Sequence, residues 1–141
     1  MIMSLYYAMR PQDLVVLLKI IAKGTQEWLM KDLALELEIS NSEVSESIKR
    51  SIFSGLLSSD KKTVMKLALL DFLKCGLKYV YPQKPGGPSR GIPTAHSAEP
   101  LASMIQSNEI YVWPHANGSV RGFSIEPLYT TVPDAVLKDP K

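Results

Sequence analysis

The chain has 141 residues, of which 45% are hydrophobic and 21% charged, with 16 Lys and Arg against 14 Asp and Glu for a net charge of +2. That length buries a core without staples and the composition is ordinary for a globular protein, but so small a charge excess does not by itself announce a nucleic-acid binder, whose affinity rests largely on phosphate neutralisation. The one cysteine, Cys75, excludes an internal disulfide and fits a reducing cytoplasm. No stretch approaches the roughly 20 apolar residues of a spanning helix, so a cytoplasmic protein without membrane contact is expected.

Residues 1–10 are apolar and aromatic, with Leu5, Tyr6, Tyr7 and Met9, and read equally as a short arm or as a partner-facing segment. Pro11 suits a first helical turn, Leu14, Leu17, Leu18 and Ile21 mark one face, and Gly24 suits the residue just past the end. Trp28 is expected to cap the core.

The stretch Leu29–Leu57 reads as helix, tight turn, helix. Leu33, Ala34 and Leu37 repeat with the helical period, Ile39 closes the turn, and Val44 and Ile48 restart the period. Ser40 followed by Glu43 fits a capping box that starts the second helix, expected to run from Asn41 to about Ser54. The pattern D-L-A-x-x-L-x-I-S-x-x-x-V-S-x-x-I-K-R from Asp32 to Arg50 resembles the winged helix-turn-helix DNA-binding regulators of the MarR-like kind. It departs from that pattern at Glu38, where a glycine is common, and at Ser51, where a large aliphatic residue is usual. At Ser51 a close helix approach or a hydroxyl bonded to the backbone is expected.

Leu56 and Leu57 can form a short strand before the polar turn SSDKK. Thr63 is a plausible N-cap for an apolar helix to Gly76, bearing Val64, Leu67, Leu69, Leu70, Phe72 and Leu73. So wide an apolar surface predicts burial on several sides or against a second copy of the chain. Leu77–Tyr81 reads as a strand, and the following Pro/Gly-rich stretch as a long loop. Asn117-Gly118 predicts a type I′ hairpin that places His115 opposite Val120, Trp113 opposite Gly122, Val112 opposite Phe123 and Ile110 opposite Ile125. The segment Val132-Pro133-Asp134 opens a helix that the chain leaves unfinished, which is compatible with a longer natural chain.

Once Val44 and Ile48 face inward, Asn41, Ser42, Ser45, Glu46 and Lys49 face outward. Asn suits adenine, Lys guanine, Glu the cytosine amino group, and Ser several partners. Arg50, Lys31, Lys61, Lys62 and Arg121 are expected to contact phosphate, which positions without reading sequence. A second candidate is the Gly86–Pro100 loop, where Arg90, Thr94, His96 and Ser97 could converge on an anion. Its glycines match neither a P-loop nor a dinucleotide fingerprint. No constellation for catalysis or metal binding stands out: His96 and His115 are the only histidines, and an apolar setting would raise the Cys75 thiol pKa.

The expected architecture is α+β and winged-helix-like: a helical core over residues 1–76, then a strand, loop and antiparallel hairpin over residues 77–141 packed on the same domain. The resemblance implies a sequence-specific regulator of transcription, without catalysis or cofactor, that binds double-stranded DNA as a homodimer and takes a small-molecule effector at most. The rival is a protein-interaction module that keeps the winged-helix shape without binding DNA.

Overall fold

The computed structural model describes residues 7–140; of the arm or partner-facing segment expected over residues 1–10, positions 1–6 lie outside the described residues. The chain is α+β and divides into two compact units, one formed by the residues up to Tyr81 together with those from Leu128 onward, the other by Pro82–Pro127. The boundary thus falls after residue 81 rather than 76, and the C-terminal segment belongs with the helices.

In the first unit α1 (Pro11–Lys23), α2 (Met30–Leu37) and α3 (Asn41–Phe53) enclose Leu14, Leu17, Leu33, Leu37, Val44 and Ile48. The spacing marks these residues as apolar faces, but of the face expected on α1 Leu18 is corrected, since it is exposed, and Ile21 is half-buried. Trp28 joins the same core, and Tyr7 stacks on Phe53 with ring centroids 4.6 Å apart. Lys23 binds Glu36 at 2.8 Å, tying α1 to α2.

The turn between α2 and α3 is held by two devices. Glu38 takes the left-handed conformation, φ 57° and ψ 42°, and ends α2. Ser40 Oγ then accepts from the Glu43 N–H at 3.1 Å while the Glu43 carboxylate accepts from the Ser40 N–H at 2.7 Å, so the capping box is present in full. A left-handed backbone strains a residue with a Cβ by about 1–2 kcal/mol, and glycine is free of that strain. Glu38→Gly should therefore raise the unfolding free energy by about 1 kcal/mol in urea titration, after subtracting the exposed pair that Glu38 makes with Lys138. An unchanged or lowered midpoint would show that this pair outweighs the strain.

After α3 the chain makes a minimal ribbon. Leu57 and Val64 form an antiparallel bridge, closed by Asp60, whose carboxylate accepts from the Thr63 hydroxyl at 2.6 Å and from the N–H groups of Lys62 and Thr63. Thr63 thus serves this turn, and the next helix starts later than expected. It runs as α4 (Lys66–Asp71), a π-helical turn Phe72–Gly76 and α5 (Leu77–Val80) without interruption. The strand expected at Leu77–Tyr81 is corrected to helix. Gly76 is no stop, because it lies inside the π turn against the Phe72 ring, where a Cβ would approach to 2.8 Å. Of the apolar residues of this helix only Leu69 is fully buried; Leu67 is 84% exposed, and Leu70, Tyr79 and Val80 are exposed as well.

The C-terminal segment closes this unit. Thr131 donates its hydroxyl to the Leu37 carbonyl at 2.8 Å, satisfying one orphan acceptor at the end of α2. The helix α7 (Val132–Lys138) follows, and Asp139 accepts from Lys19 at 2.7 Å.

The second unit holds a three-stranded mixed sheet closed on itself: β1 (Pro88–Pro93), β2 (Tyr111–Pro114) and β3 (Val120–Ser124). Short helical turns at Ala95–Ser97 and α6 (Leu101–Met104) join β1 to β2. β1 pairs antiparallel with both neighbours, while β2 and β3 run parallel with Tyr111 opposite Phe123. The antiparallel hairpin and its register are therefore corrected. Neither Asn117 nor Gly118 has the positive φ of a type I′ turn. Instead the Gly118 N–H closes a local turn onto the His115 carbonyl at 3.0 Å, and the chain crosses back to β1, a strand drawn from the stretch expected to be loop.

Candidate nucleic-acid interface

The periodicity of α3 decides which residues can meet a ligand. Val44, Ser47, Ile48, Arg50 and Ser51 are buried, whereas Asn41, Ser42, Glu46 and Lys49 are exposed and Ser45 half-exposed. The structure thus brings Asn41, Ser42, Ser45, Glu46 and Lys49 together on one outer face. Lys49 spans to Glu46 at 3.1 Å, an exposed pair a turn apart, so its ammonium can exchange that partner at little cost.

The expected phosphate contacts divide. Lys31 and Lys61 are exposed, Lys61 with a left-handed backbone at φ 65°. Lys62 lies over the Trp28 ring, 3.9 Å from its centroid, and donates to the Trp28 carbonyl. Arg50 is corrected: it is buried, donating from Nε to Asp13 Oδ2 at 2.9 Å and from Nη2 to Oδ1 at 2.7 Å. Its guanidinium pKa is raised, chiefly by these hydrogen bonds to Asp13. A side chain committed in this way joins α1 to α3 and is not offered to phosphate. Ser51 is wholly buried, which gives the close helix approach; its Oγ, like that of Ser47, finds no partner among the described residues.

A groove of about 460 Å³ opens at the start of α3, lined by Arg10, Gln12, Ser42, Glu43, Glu46 and Tyr129 among others. Sequence reasoning missed Tyr129, which donates its hydroxyl to Glu43 at 2.9 Å across 86 positions of sequence. Glu43 is held below its ordinary value near 4.5, first by the Ser40 N–H and then by Tyr129. A depressed carboxylate pKa contributes stability that is present above the unfolded value and is lost as pH falls through the folded one. The difference in melting temperature between wild type and Glu43→Gln should thus be positive at pH 7 and shrink below about pH 4.5. A difference independent of pH would assign the capping effect to shape rather than charge.

In the second unit the residues expected to gather around an anion part company. His96 donates from Nε2 to the Glu109 carbonyl at 2.8 Å and packs edge-on against Tyr111, while Ser97 Oγ accepts from the Tyr111 N–H at 2.9 Å. Thr94 is buried beside them, its N–H donating to the Tyr111 carbonyl. These three fasten β2. Arg90 instead lies on β1 directly opposite Arg121 of β3.

Among the described residues no three His, Cys, Asp or Glu side chains cluster as a metal site, and no helix is long and apolar enough to cross a membrane. Comparison with family models, with curated proteins and with solved structures gives no match to this chain.

Proposed function

We propose that the chain is a sequence-specific DNA-binding regulator of transcription of the winged helix-turn-helix, MarR-like kind, with α3 entering the major groove of double-stranded DNA. The observation that carries this reading is the outer face of α3. A fully capped helix start presents Asn41, Ser42, Ser45, Glu46 and Lys49 side by side, with the exposed Lys31 on α2. Amide, hydroxyl, carboxylate and ammonium groups at the N-terminal half of a second helix are the groups that address base edges. The Leu57–Val64 bridge, with Lys61 at its turn, supplies a minimal wing to follow the backbone.

A homodimer belongs to the same proposal, because two half-sites need two reading helices. Leu67, Leu70, Tyr79 and Val80 are exposed on one unbroken helical run, and apolar side chains so placed gain from burial against a second copy.

Anisotropy titration with a fragmented genomic library, then with the selected duplex, tests the reading. Lys49→Ala should weaken the preferred duplex by about 1–3 kcal/mol and relax base preference at one position. Absence of duplex binding even in low salt would end the proposal. The alternative, an interaction module without DNA binding, draws on one specific observation: with Arg50 buried against Asp13 and Lys49 beside Glu46, the α3 face carries little free positive charge. Duplex binding nil together with self-association through Leu67 and Leu70 would select it.

A further inference from the structure

The Arg90–Arg121 pair sits where a protein gains nothing from it in isolation. Like charges directly opposite on neighbouring strands destabilise a sheet, and both arginines are exposed. Neither guanidinium makes a hydrogen bond or ion pair with any described residue. The carboxylates of the same unit lie elsewhere: Glu99 accepts from the Ser103 hydroxyl, Glu109 lies 3.4 Å from the Tyr111 hydroxyl, and Glu126 follows the end of β3.

What surrounds the pair is aromatic. Side chains alternate along a strand, so Phe123 shares the face of Arg121, and Pro88, its partner on β1, shares that of Arg90. Phe123 is 41% exposed. On its other side the parallel pairing sets Tyr111 beside it, and Trp113 follows two positions along β2. Tyr111 is braced by a T-shaped contact with His96, centroids 4.7 Å apart. The opposite side of the sheet is closed, with Val112 fully buried and Gly91 against the backbone of Trp113. On this face the exposed Arg90 and Arg121 lie beside the exposed Phe123, with Tyr111 and Trp113 half-buried and Ile92, opposite Trp113, buried.

We propose that this sheet face binds single-stranded nucleic acid, one phosphate bridging Arg90 and Arg121 and an adjacent unpaired base stacking on Phe123 beside Tyr111. Two guanidinium forks at opposed positions match the oxygens of one phosphate, and the bound anion cancels their repulsion. Ring faces beside them accept bases of any identity, as stacking platforms for single strands do. A duplex keeps its bases inside its own stack and offers this face only phosphate. An acidic peptide or free phosphate would use the arginines and leave the rings idle. The proposal stands on the second unit alone and does not rest on the helix-turn-helix reading.

The test is fluorescence anisotropy of the full chain with labelled 12-nucleotide oligo-dT and oligo-U and with a duplex of equal length, as a function of salt. The single strands should bind in about 50 mM salt. The double variant Arg90→Ala/Arg121→Ala should bind them about tenfold or more weakly, with the salt slope reduced by about 0.7 for the one phosphate no longer neutralised. Phe123→Ala should weaken them about fivefold or more with the slope unchanged, and Phe123→Trp should restore binding. Both arginines are exposed and repel each other, so the double variant should melt no lower than wild type. Asn41→Ala/Lys49→Ala should leave single-strand binding intact, which separates this site from α3. No single-strand binding by the wild type, or wild-type affinity in the double arginine variant, overturns the proposal. So does an unchanged affinity in Phe123→Ala with full displacement by polyphosphate, which would leave only a general anion patch.

Discussion

Arg50→Ala is expected to lower the unfolding free energy by about 3–5 kcal/mol, a large fraction of the stability of a small domain. The carboxylate of Asp13 is fully buried and is held by three donors, the Arg10 N–H at 2.9 Å and two nitrogens of Arg50 at 2.9 and 2.7 Å. Removing the guanidinium leaves a buried charge with one backbone N–H for company, and desolvation of that charge dominates the loss. Arg50→Lys should recover little, because an ammonium is a point charge and cannot supply two parallel bonds. The double variant Asp13→Leu/Arg50→Met removes both charges at similar volume and should recover most of the loss. Urea titration of Asp13→Leu, Arg50→Met and the double variant closes the cycle. Arg50→Ala within about 0.5 kcal/mol of wild type would show that the pair is solvated in solution. On the proposed reading of the chain as a duplex binder, Arg50→Ala should weaken duplex binding only by depleting the folded state, and affinity corrected for the folded fraction should match wild type.

That pair also marks where reading residues in sequence stops working. The helix-turn-helix was legible because its signals are local. The period of Leu33, Ala34, Leu37, Val44 and Ile48 decides burial, and a serine three positions before a glutamate decides the cap, so all five apolar residues are buried and both cap bonds form. Arg50 follows the exposed Lys49, and only a carboxylate 37 positions away turns it inward. The available hint was Asp13, which precedes Leu14 on the inward stripe of α1, where an unpaired charge is not tolerated.

The same limit accounts for the second half of the chain. Tyr79, Val80 and Tyr81 favour a strand, but a strand needs a partner, and with none beside them among the described residues the chain continues as helix to Val80. β1 was hidden by its prolines. Pro88 and Pro93 stand at its two ends, where a missing N–H is tolerated, and once β1 lies between them β2 and β3 lose the reason to form a hairpin. Ser97 and His96 look like ligands in sequence because they are polar and adjacent. Their polar atoms are spent on β2 and its approach.

Closure of that small sheet predicts the other large effect, at Gly91. Its φ is not in the left-handed region, so the requirement is for space. A Cβ there would lie 2.0 Å from the Trp113 carbonyl oxygen and 2.7 Å from its carbon, and Gly118, whose own Cβ would come within 2.3 Å of the Gly91 Cα, closes the other side. These neighbours are backbone and cannot rotate away. Gly91→Ala should therefore exceed the about 1–3 kcal/mol usual for overpacking and open the sheet. The chain's two tryptophans, Trp28 and Trp113, fall one in each unit. In a Trp28→Phe background the emission of Trp113 reports the sheet alone, and Gly91→Ala should shift it to the red at temperatures where the parent is unchanged. Gly87→Ala is the matched control, since nothing lies within 4 Å of a Cβ at that position, and its melt should be that of the parent. Coincident melts for the two variants would mean that the strands do not approach as closely in solution, and the face carrying Arg90, Arg121 and Phe123 would lose the register that assembles it.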